Sequence, residues 1–403
     1  MSDRIRIAHF SDTHLGYRGL NKADPDTGRN QRTIDVDRAF TRVVDDILRR
    51  DVDAIIHSGD VFHHTRPTWH SLRHFIRQMR RIEDAGIPTL VIAGNHDTPR
   101  MRTGGSAYSV LELALPKIRF VADYGAEQIE DAPFDGLNLH IHAIPHGALT
   151  NPDPVVPRVV PGRRNVLVCH GMVPGILAPG VHAEPGEQQL TTALLDPQFD
   201  YIALGHYHVP TLAAPKAWYS GSTERMGFGD WNVTPGYNIV ELGAPGATDE
   251  VQVEHIELPS RPMHSLKPLY ARGMLARDIA DKVLDQLRGL NASDAMVRIE
   301  LRETDRAIRR EAESILRREH EEFVWSLTVA QERVLFTPTI EESPASIDGV
   351  PDLRSLFATF VGERTGPIFD ETFATAFLER GDRALVDAML AQETPEPEEA
   401  GAA

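Results

Sequence analysis

Five short apolar runs in this chain each end on a small cluster of glycine, aspartate, asparagine or histidine, and that ordered recurrence constrains the fold most tightly. Ile5 to Phe10 runs into Asp12-Thr13-His14, Ala54 to His57 into Gly59-Asp60, and Thr89 to Ala93 into Gly94-Asn95-His96-Asp97. Further on, Asn165 to Cys169 runs into His170-Gly171, and Tyr201 to Leu204 into Gly205-His206-Tyr207-His208. Runs of this length bounded by glycine and polar turn residues read as buried strands. Between the first three lie two helical patterns. Val36, Ala39, Phe40, Val43, Val44, Ile47 and Leu48 form one apolar stripe, and Leu72, Phe75, Ile76, Met79 and Ile82 form another. Strand–helix–strand–helix–strand predicts an α/β layered domain. In open α/β sheets ligands bind beyond the carboxyl ends of the strands, so five such ends would bring Asp, Asn and His side chains into one crevice. The glycines let the backbone turn sharply there.

The pattern continues with an apolar run at Leu139 to Ile144, a Pro- and Val-rich loop from Asn151 to Arg164, and strand-like runs at Tyr237 to Leu242 and Val251 to Leu258, expected in a second sheet. This places the first domain at residues 1–258. Residues 259–335 change character. Helical stripes at Ile279, Val283, Leu284, Leu287 and at Ile308, Ala312, Ile315, Leu316 alternate with strand-like runs around Leu266, Val297 and Leu327, a βαβαβ unit. Residues 336–351 read as a linker. Apolar stripes over 352–392, such as Leu353, Leu356, Phe357 and Phe360, predict C-terminal helices, and the Pro/Glu/Ala-rich 393–403 predicts a disordered tail.

A mixture of carboxylate, amide and imidazole donors suits Mn²⁺, Fe²⁺ or Zn²⁺ better than thiolate-seeking ions or an all-oxygen calcium cage. The single cysteine, Cys169, excludes a disulfide framework and a cysteine zinc cluster. One carboxylate can bridge two ions, which makes a two-metal centre the expectation. Each cluster alone is a common turn. Their occurrence together and in order, each after its own strand, is what points to a shared site. The net charge of −17 leans against a nucleic-acid coat, although basic stretches lie at residues 29–32, 73–81 and 100–102. Asp3, Arg4 and Arg6 leave no apolar stretch for a secretion signal, no run approaches a membrane span, and the expected address is the cytoplasm.

The order Asp-X-His, Gly-Asp, Gly-Asn-His-Asp, His-Gly and Gly-His-X-His resembles the signature of calcineurin-like metallophosphoesterases. Within that group, Ser11-Asp12-Thr13-His14-Leu15-Gly16, His57-Ser58-Gly59-Asp60-Val61-Phe62-His63, Arg66-Pro67 and Tyr219-Ser220-Gly221-Ser222-Thr223-Glu224-Arg225 look like the SbcD nuclease subfamily. The resemblance implies a four-layer α/β/β/α sandwich followed by a small α+β capping domain and C-terminal helices. It implies two metal ions, typically Mn²⁺. Asp12, His14 and His208 would hold one, Asn95, His170 and His206 the other, with Asp60 bridging. His96 would be the general acid or a stabiliser of the transition state, oriented by Asp97. His63, with His64 beside it as a competitor, would help set the strand to be cut. Arg32 and Arg66, with Arg29, would flank a DNA-sized cleft. The expected activity is phosphodiester hydrolysis in DNA, as a duplex-end exonuclease with single-strand endonuclease activity as a second expectation. A small nucleotide or phosphoprotein as substrate, or a non-catalytic scaffold, are the alternatives. The chain has no Gly-X-X-X-X-Gly-Lys-Ser/Thr loop, so ATP hydrolysis would come from an SbcC-type ABC/SMC-like ATPase docked on the C-terminal helices, with a homodimer inside a heterotetramer.

Overall fold

Strands Ile5–Phe10 (β1), Ala54–His57 (β2), Thr89–Ile92 (β3) and Arg119–Val121 (β4) are mutually parallel. They share a six-stranded sheet with two later strands. The computed structural model describes residues 4–131, 133–153, 155–176, 187–196, 198–245 and 251–331, together with 357, 377, 378 and 380–383. A second sheet of six contains Glu127–Ile129 (β5), Leu139–Ile144 (β6), Arg164–His170 (β7), Tyr201–Gly205 (β8), Thr211–Ala214 (β9) and Ala217–Tyr219 (β10), in the order β5-β6-β7-β8-β10-β9. Gly236–Leu242 (β11) and Val251–Glu257 (β12) do not extend that second sheet, as their position in the sequence predicts. They return to the first, β11 lying antiparallel to β1 and β12 outside it. Alternation alone reports that a strand has two faces and says nothing about which sheet it joins.

The two sheets pack face to face. Ile7, Ile56, Leu90 and Ile92 from the first meet Ile141, Val166, Val168 and Ala203 from the second, all fully buried or nearly so. The other face of the first sheet is covered by helices Gln31–Ile47 (α1), Trp69–Asp84 (α2) and Tyr108–Ala114 (α3). The apolar stripes of α1 and α2 are the ones read from the sequence. Asn30 starts α1 by accepting hydrogen bonds from the Arg32 and Thr33 amides, and Thr68 starts α2 by accepting from Ser71. The outer face of the second sheet has a thinner cover. Among the described residues it consists of the single turn His146–Leu149 (α4), the 3₁₀ turn Thr192–Leu195 and loop residues such as Val155 and Val159.

Residues 263–331 carry a separate hydrophobic core. Met263–Ser265 (β13), Leu269–Tyr270 (β14), Met296–Arg302 (β15) and Ser326–Gln331 (β16) form a parallel sheet with β15 in its middle. Helices Ala276–Leu290 (α5) and Arg306–Glu319 (α6) bury Ile279, Val283, Leu284, Leu287, Ala312 and Leu316 against Val297, Ile299 and Leu301. The predicted βαβαβ order is found except that its first strand, expected around Leu266, is two short strands, β13 and β14. These residues belong to the same compact unit as the two sheets, Met1–Glu332. The expected linker, nearly all of the C-terminal helices and the tail fall outside the described residues. No helix among the described residues is long and apolar enough to cross a membrane.

Candidate metal centre

Parallel β1, β2 and β3 in one sheet and parallel β7 and β8 in the other present their carboxyl ends at a common edge, where the sheets are stitched by hydrogen bonds. The ring Nδ1 of His170, at the end of β7, lies 2.8 Å from the Ser58 carbonyl after β2. On the first sheet's side the Asp12 and His14 amides donate to the carbonyls of Gly59 and Asp60. Asp12, His14, Asp60 and His206 all take positive φ, at 51°, 43°, 56° and 106°. Side chains other than glycine rarely accept that conformation, and it persists where surrounding contacts impose it. Gly94 is needed for close approach, because a β-carbon there would fall on the Asp60 carboxylate and its backbone nitrogen.

Seven donors expected from the sequence converge. His14 Nε2 faces His208 Nε2 at 3.2 Å and sits 4.0 Å from Asp12 Oδ1. Asn95 Oδ1 is 3.0 Å from both His170 Nε2 and His206 Nδ1. Between these groups lies Asp60. Its Oδ1 accepts the His96 amide at 2.9 Å, which leaves Oδ2 at 3.6 Å from His14 Nε2 and 3.4 Å from His170 Nε2. Asp12, His14 and His208 form one set able to hold a cation, and Asp60, His170 and His206 another.

The chemistry of these donors fits divalent ions. His170 has its Nδ1 on a carbonyl, which can only accept, so Nδ1 carries the proton and Nε2 turns to the centre. When His14 and His208 carry their protons on Nδ1, their facing Nε2 atoms present two lone pairs at one point, which suits a cation between them. Burial drives the His14 pKa well below its ordinary value. Burial opposes charge on His170 and His208 too. Asp60 outweighs it at His170, and the Asp230 hydrogen bond with Asp12 does so at His208, raising each to about 9. Burial pushes the Asp60 carboxyl up, but His170 and His14 hold it well below the usual carboxylate range.

His96 and His63 stack at the rim with ring centroids 5.1 Å apart, and His96 Nδ1 lies 2.9 Å from the His63 carbonyl. The His63 carbonyl holds the His96 ring. Asp97 does something else. Its carboxylate accepts the amides of Val61, Phe62 and Gly94 and the Tyr108 hydroxyl, bracing the turns after β2 and β3. Burial and the nearby Asp60 push its carboxyl up to about 6. His63 Nδ1 is 3.4 Å from His14 Nδ1, so this ring touches the ligand set, while His64 is exposed. Burial and the neighbouring His96 bring His63 down to about 4.

The arginines divide. Arg66 is exposed. Arg32 corrects the expectation of a DNA contact: only 1% of it is exposed, and its guanidinium binds Asp35 at 2.7 Å and the Arg225 carbonyl. Its place in the first turn of an amphipathic helix looks solvent-facing, but the loop around Glu224 and Arg225 closes over it. Arg29 is engaged with Asp37 at 2.6 Å.

Sequence reasoning missed four residues. Glu187 and Asp230 bind the outer nitrogens of His206 and His208, at 3.3 and 3.2 Å. Both sit in loops with no periodic signal. His57 and His9 end up as buried crosslinks rather than ligands. His57 Nε2 lies 3.1 Å from Thr13 Oγ1, and His9 joins Tyr201 and Ser58 across the sheets at 2.8 and 2.9 Å. Their strand register, inward on β1 and at the end of β2, was the available clue.

Residues 5–210 match the family model described as calcineurin-like phosphoesterase. Among curated proteins, the chain is similar to the DNA double-strand break repair protein Mre11 of Haloferax volcanii, 33% identical over 74% of this chain and 61% of the relative. It is similar to the Mre11 of Saccharolobus solfataricus, 32% identical over 51% of this chain and 49% of the relative. For the Mre11 of Halobacterium salinarum the figures are 30%, 60% and 58%. The chain thus spans roughly half to three-fifths of the length of these relatives.

Proposed function

Because this chain belongs to the calcineurin-like phosphoesterase family, we propose that it hydrolyses phosphodiester bonds of DNA as a Mn²⁺-dependent nuclease of the SbcD type. The observation that carries this is Asp60 Oδ2, held between His14 and His170 with its other oxygen pinned by the His96 amide. Asp12, His14 and His208 would hold one ion, Asn95, His170 and His206 the other, and Asp60 both. Two such ions supply positive charge for the phosphate oxygens and lower the pKa of the attacking water. The chain's own residues do the rest. The buried carboxylates and imidazoles keep the ligand atoms in place without reorganisation. His96, its Nδ1–H donating to the His63 carbonyl, would as the doubly protonated imidazolium give its Nε2 proton to the leaving oxygen as general acid. His63 lies against both His14 and His96 at the rim, a place from which it can steer the strand to be cut. Exposed Arg66 is the phosphate contact of this reading.

Duplex-end exonuclease and single-strand endonuclease action, a homodimer and an SbcC-type ATPase partner are part of the same proposal. So is a cytoplasmic setting. The DNA substrate is supported by likeness to relatives named for DNA double-strand break repair, and the partner would supply the ATP-binding loop that this sequence does not contain. A smaller phosphodiester is the second reading, favoured by the net charge of −17 and by the engagement of Arg29 and Arg32 inside the protein.

The test is incubation of the purified chain with Mn²⁺ and end-labelled linear duplex DNA, beside a small phosphodiester and an Asp60→Ala variant. Mn²⁺-dependent DNA degradation that falls at least about 10³-fold in the variant supports the nuclease. Turnover of the small ester with DNA left intact moves the assignment to the second reading. Failure of both, with the ATPase partner present, sinks the enzyme.

A further inference from the structure

Each histidine of the Gly-His-X-His cluster carries a carboxylate on the ring nitrogen turned away from the other ligands, and the two carboxylates come from different parts of the molecule. Glu187 reaches His206 from a stretch that pairs with Met172, whose amide donates to the Gln188 carbonyl at 2.9 Å. Asp230 reaches His208 Nδ1 from the end of the 3₁₀ turn Phe228–Asp230, and the same Oδ2 accepts the Met226 amide at 3.0 Å.

That turn is held by the capping unit. Strand β13 packs directly against it. Immediately before it, the Arg225 guanidinium donates to the Val233 carbonyl at 2.8 Å, to the Ser260 hydroxyl and to the Arg261 carbonyl at 3.2 Å. Glu224 accepts the Arg225 amide at 2.9 Å and faces buried Arg32 at 3.5 Å. Arg32 binds Asp35 of α1, and Asp35 also receives two hydrogen bonds from Arg261, at 3.0 and 3.1 Å. Arg261 in turn lies over the Trp325 ring of the cap at 4.4 Å and binds Asp294. A series of polar contacts, joined through the backbone of residues 224–226, therefore runs from His208 to the seat of the cap.

We propose that Asp230 is a positioning residue that fixes the tautomer and orientation of His208, and that the seating of the cap through Arg261 sets how tightly the Asp12, His14 and His208 position holds a divalent ion. The inference rests on the two-ion reading above and deepens it by assigning the site a regulating contact. Its physics is direct. A carboxylate that accepts the Nδ1 proton leaves the Nε2 lone pair facing His14, and removing such a partner commonly weakens metal binding about 10–100-fold. The turn bearing Asp230 has little regular structure of its own, so its position depends on the elements clamping it.

The experiment is a calorimetric titration of the full chain with Mn²⁺, comparing wild type with Asp230→Leu, Asp230→Asn, Arg261→Ala and the Asp230→Leu/Arg261→Ala double variant. The leucine keeps the branched shape and removes the acceptor; the asparagine keeps an accepting oxygen. Asp230→Leu is expected to weaken one of two ion positions about 10–100-fold and spare the other, with Asp230→Asn restoring most of the loss. Arg261→Ala is expected to weaken the same position by a smaller factor. The double variant should then bind no worse than Asp230→Leu alone, as expected for residues acting through one contact. Wild-type affinity at both positions in Asp230→Leu, or equal weakening of both, overturns the positioning role. No effect of Arg261→Ala, or a fully additive one, overturns the link to the cap. If Asp230→Leu gives no cooperative melt without metal, Asp230→Asn and Arg261→Ala still decide the matter, since the former must keep the affinity and the latter must lower it. A wild type that takes up no Mn²⁺ overturns the two-ion reading itself, an outcome distinct from two bound ions with unchanged variants.

Discussion

His96 and Gly94 act on the centre in opposite senses, one through its ring and one through the lack of a side chain. His96 Nδ1 lies on the His63 carbonyl, and its amide fixes Asp60 Oδ1, so the ring is held while remaining outside the seven donors. Replacing it with alanine removes the proton donor and keeps the backbone amide. His96→Ala is therefore expected to lower Mn²⁺-dependent turnover about 10²–10⁴-fold while Mn²⁺ uptake, followed by calorimetry, stays as in wild type. At Gly94 a single methyl would fall on the Asp60 carboxylate. Gly94→Ala should cost about 1–3 kcal/mol of stability by overpacking and should also impair Mn²⁺ uptake. A thermal melt of the metal-free variant beside the same titration checks both, and an unchanged titration would contradict the geometry.

At the scale of elements, the turns after β2 and β3 carry Asp60 and Asn95, and buried Asp97 ties them together. It accepts three backbone amides and the Tyr108 hydroxyl from α3. Asp97→Ala leaves those donors buried and unpaired. A loss of about 3 kcal/mol or more in urea unfolding is expected, since each orphaned donor costs on the order of 1–3 kcal/mol. A change below about 1 kcal/mol would mean that the turns hold themselves. Much of the site was legible at this scale. The strands, the stripes of α1 and α2 and the gathering of Asp, Asn and His at the strand ends follow from short-range pattern, while the particular seven donors came from the family resemblance. The placement of β11 and β12, the enclosure of Arg32 and the contacts of Glu187 and Asp230 were not legible, because each depends on segments far apart in sequence.

For the whole molecule, the buried histidines set the response to acid. His9 and His57 lie between the sheets and beside the site, and burial lowers both to about 3. Between pH 6.5 and 3 the unfolded chain binds protons at these rings while the folded one does not. Stability contributed by the neutral rings is thus fully present above 6.5 and falls as pH drops. From pH 6.5 to 5 each ring accounts for a loss of about 2 kcal/mol. His170 and His208, raised to about 9, titrate above this window and do not offset it. Melting temperature measured from pH 8 to pH 5 should fall steeply below 6.5. In His9→Gln, less stable at pH 8, the slope should be shallower, and an identical slope would remove His9 from the account.

The sequence by itself determined the layered α/β class, the strand ends that carry the candidate ligands, their residue types and the small βαβαβ unit. All of these follow from local periodicity and from the residue types that terminate it. Only the tertiary structure decided which sheet receives β11 and β12, whether an arginine on α1 meets solvent or a closing loop, and which carboxylates stand behind His206 and His208. Those outcomes depend on long-range packing, where the partner of a buried charge is chosen by the fold as a whole. Asp35, three residues on, is a local partner of Arg32, but nothing nearby specifies the loop at Arg225 that closes over it or the His208 that meets Asp230.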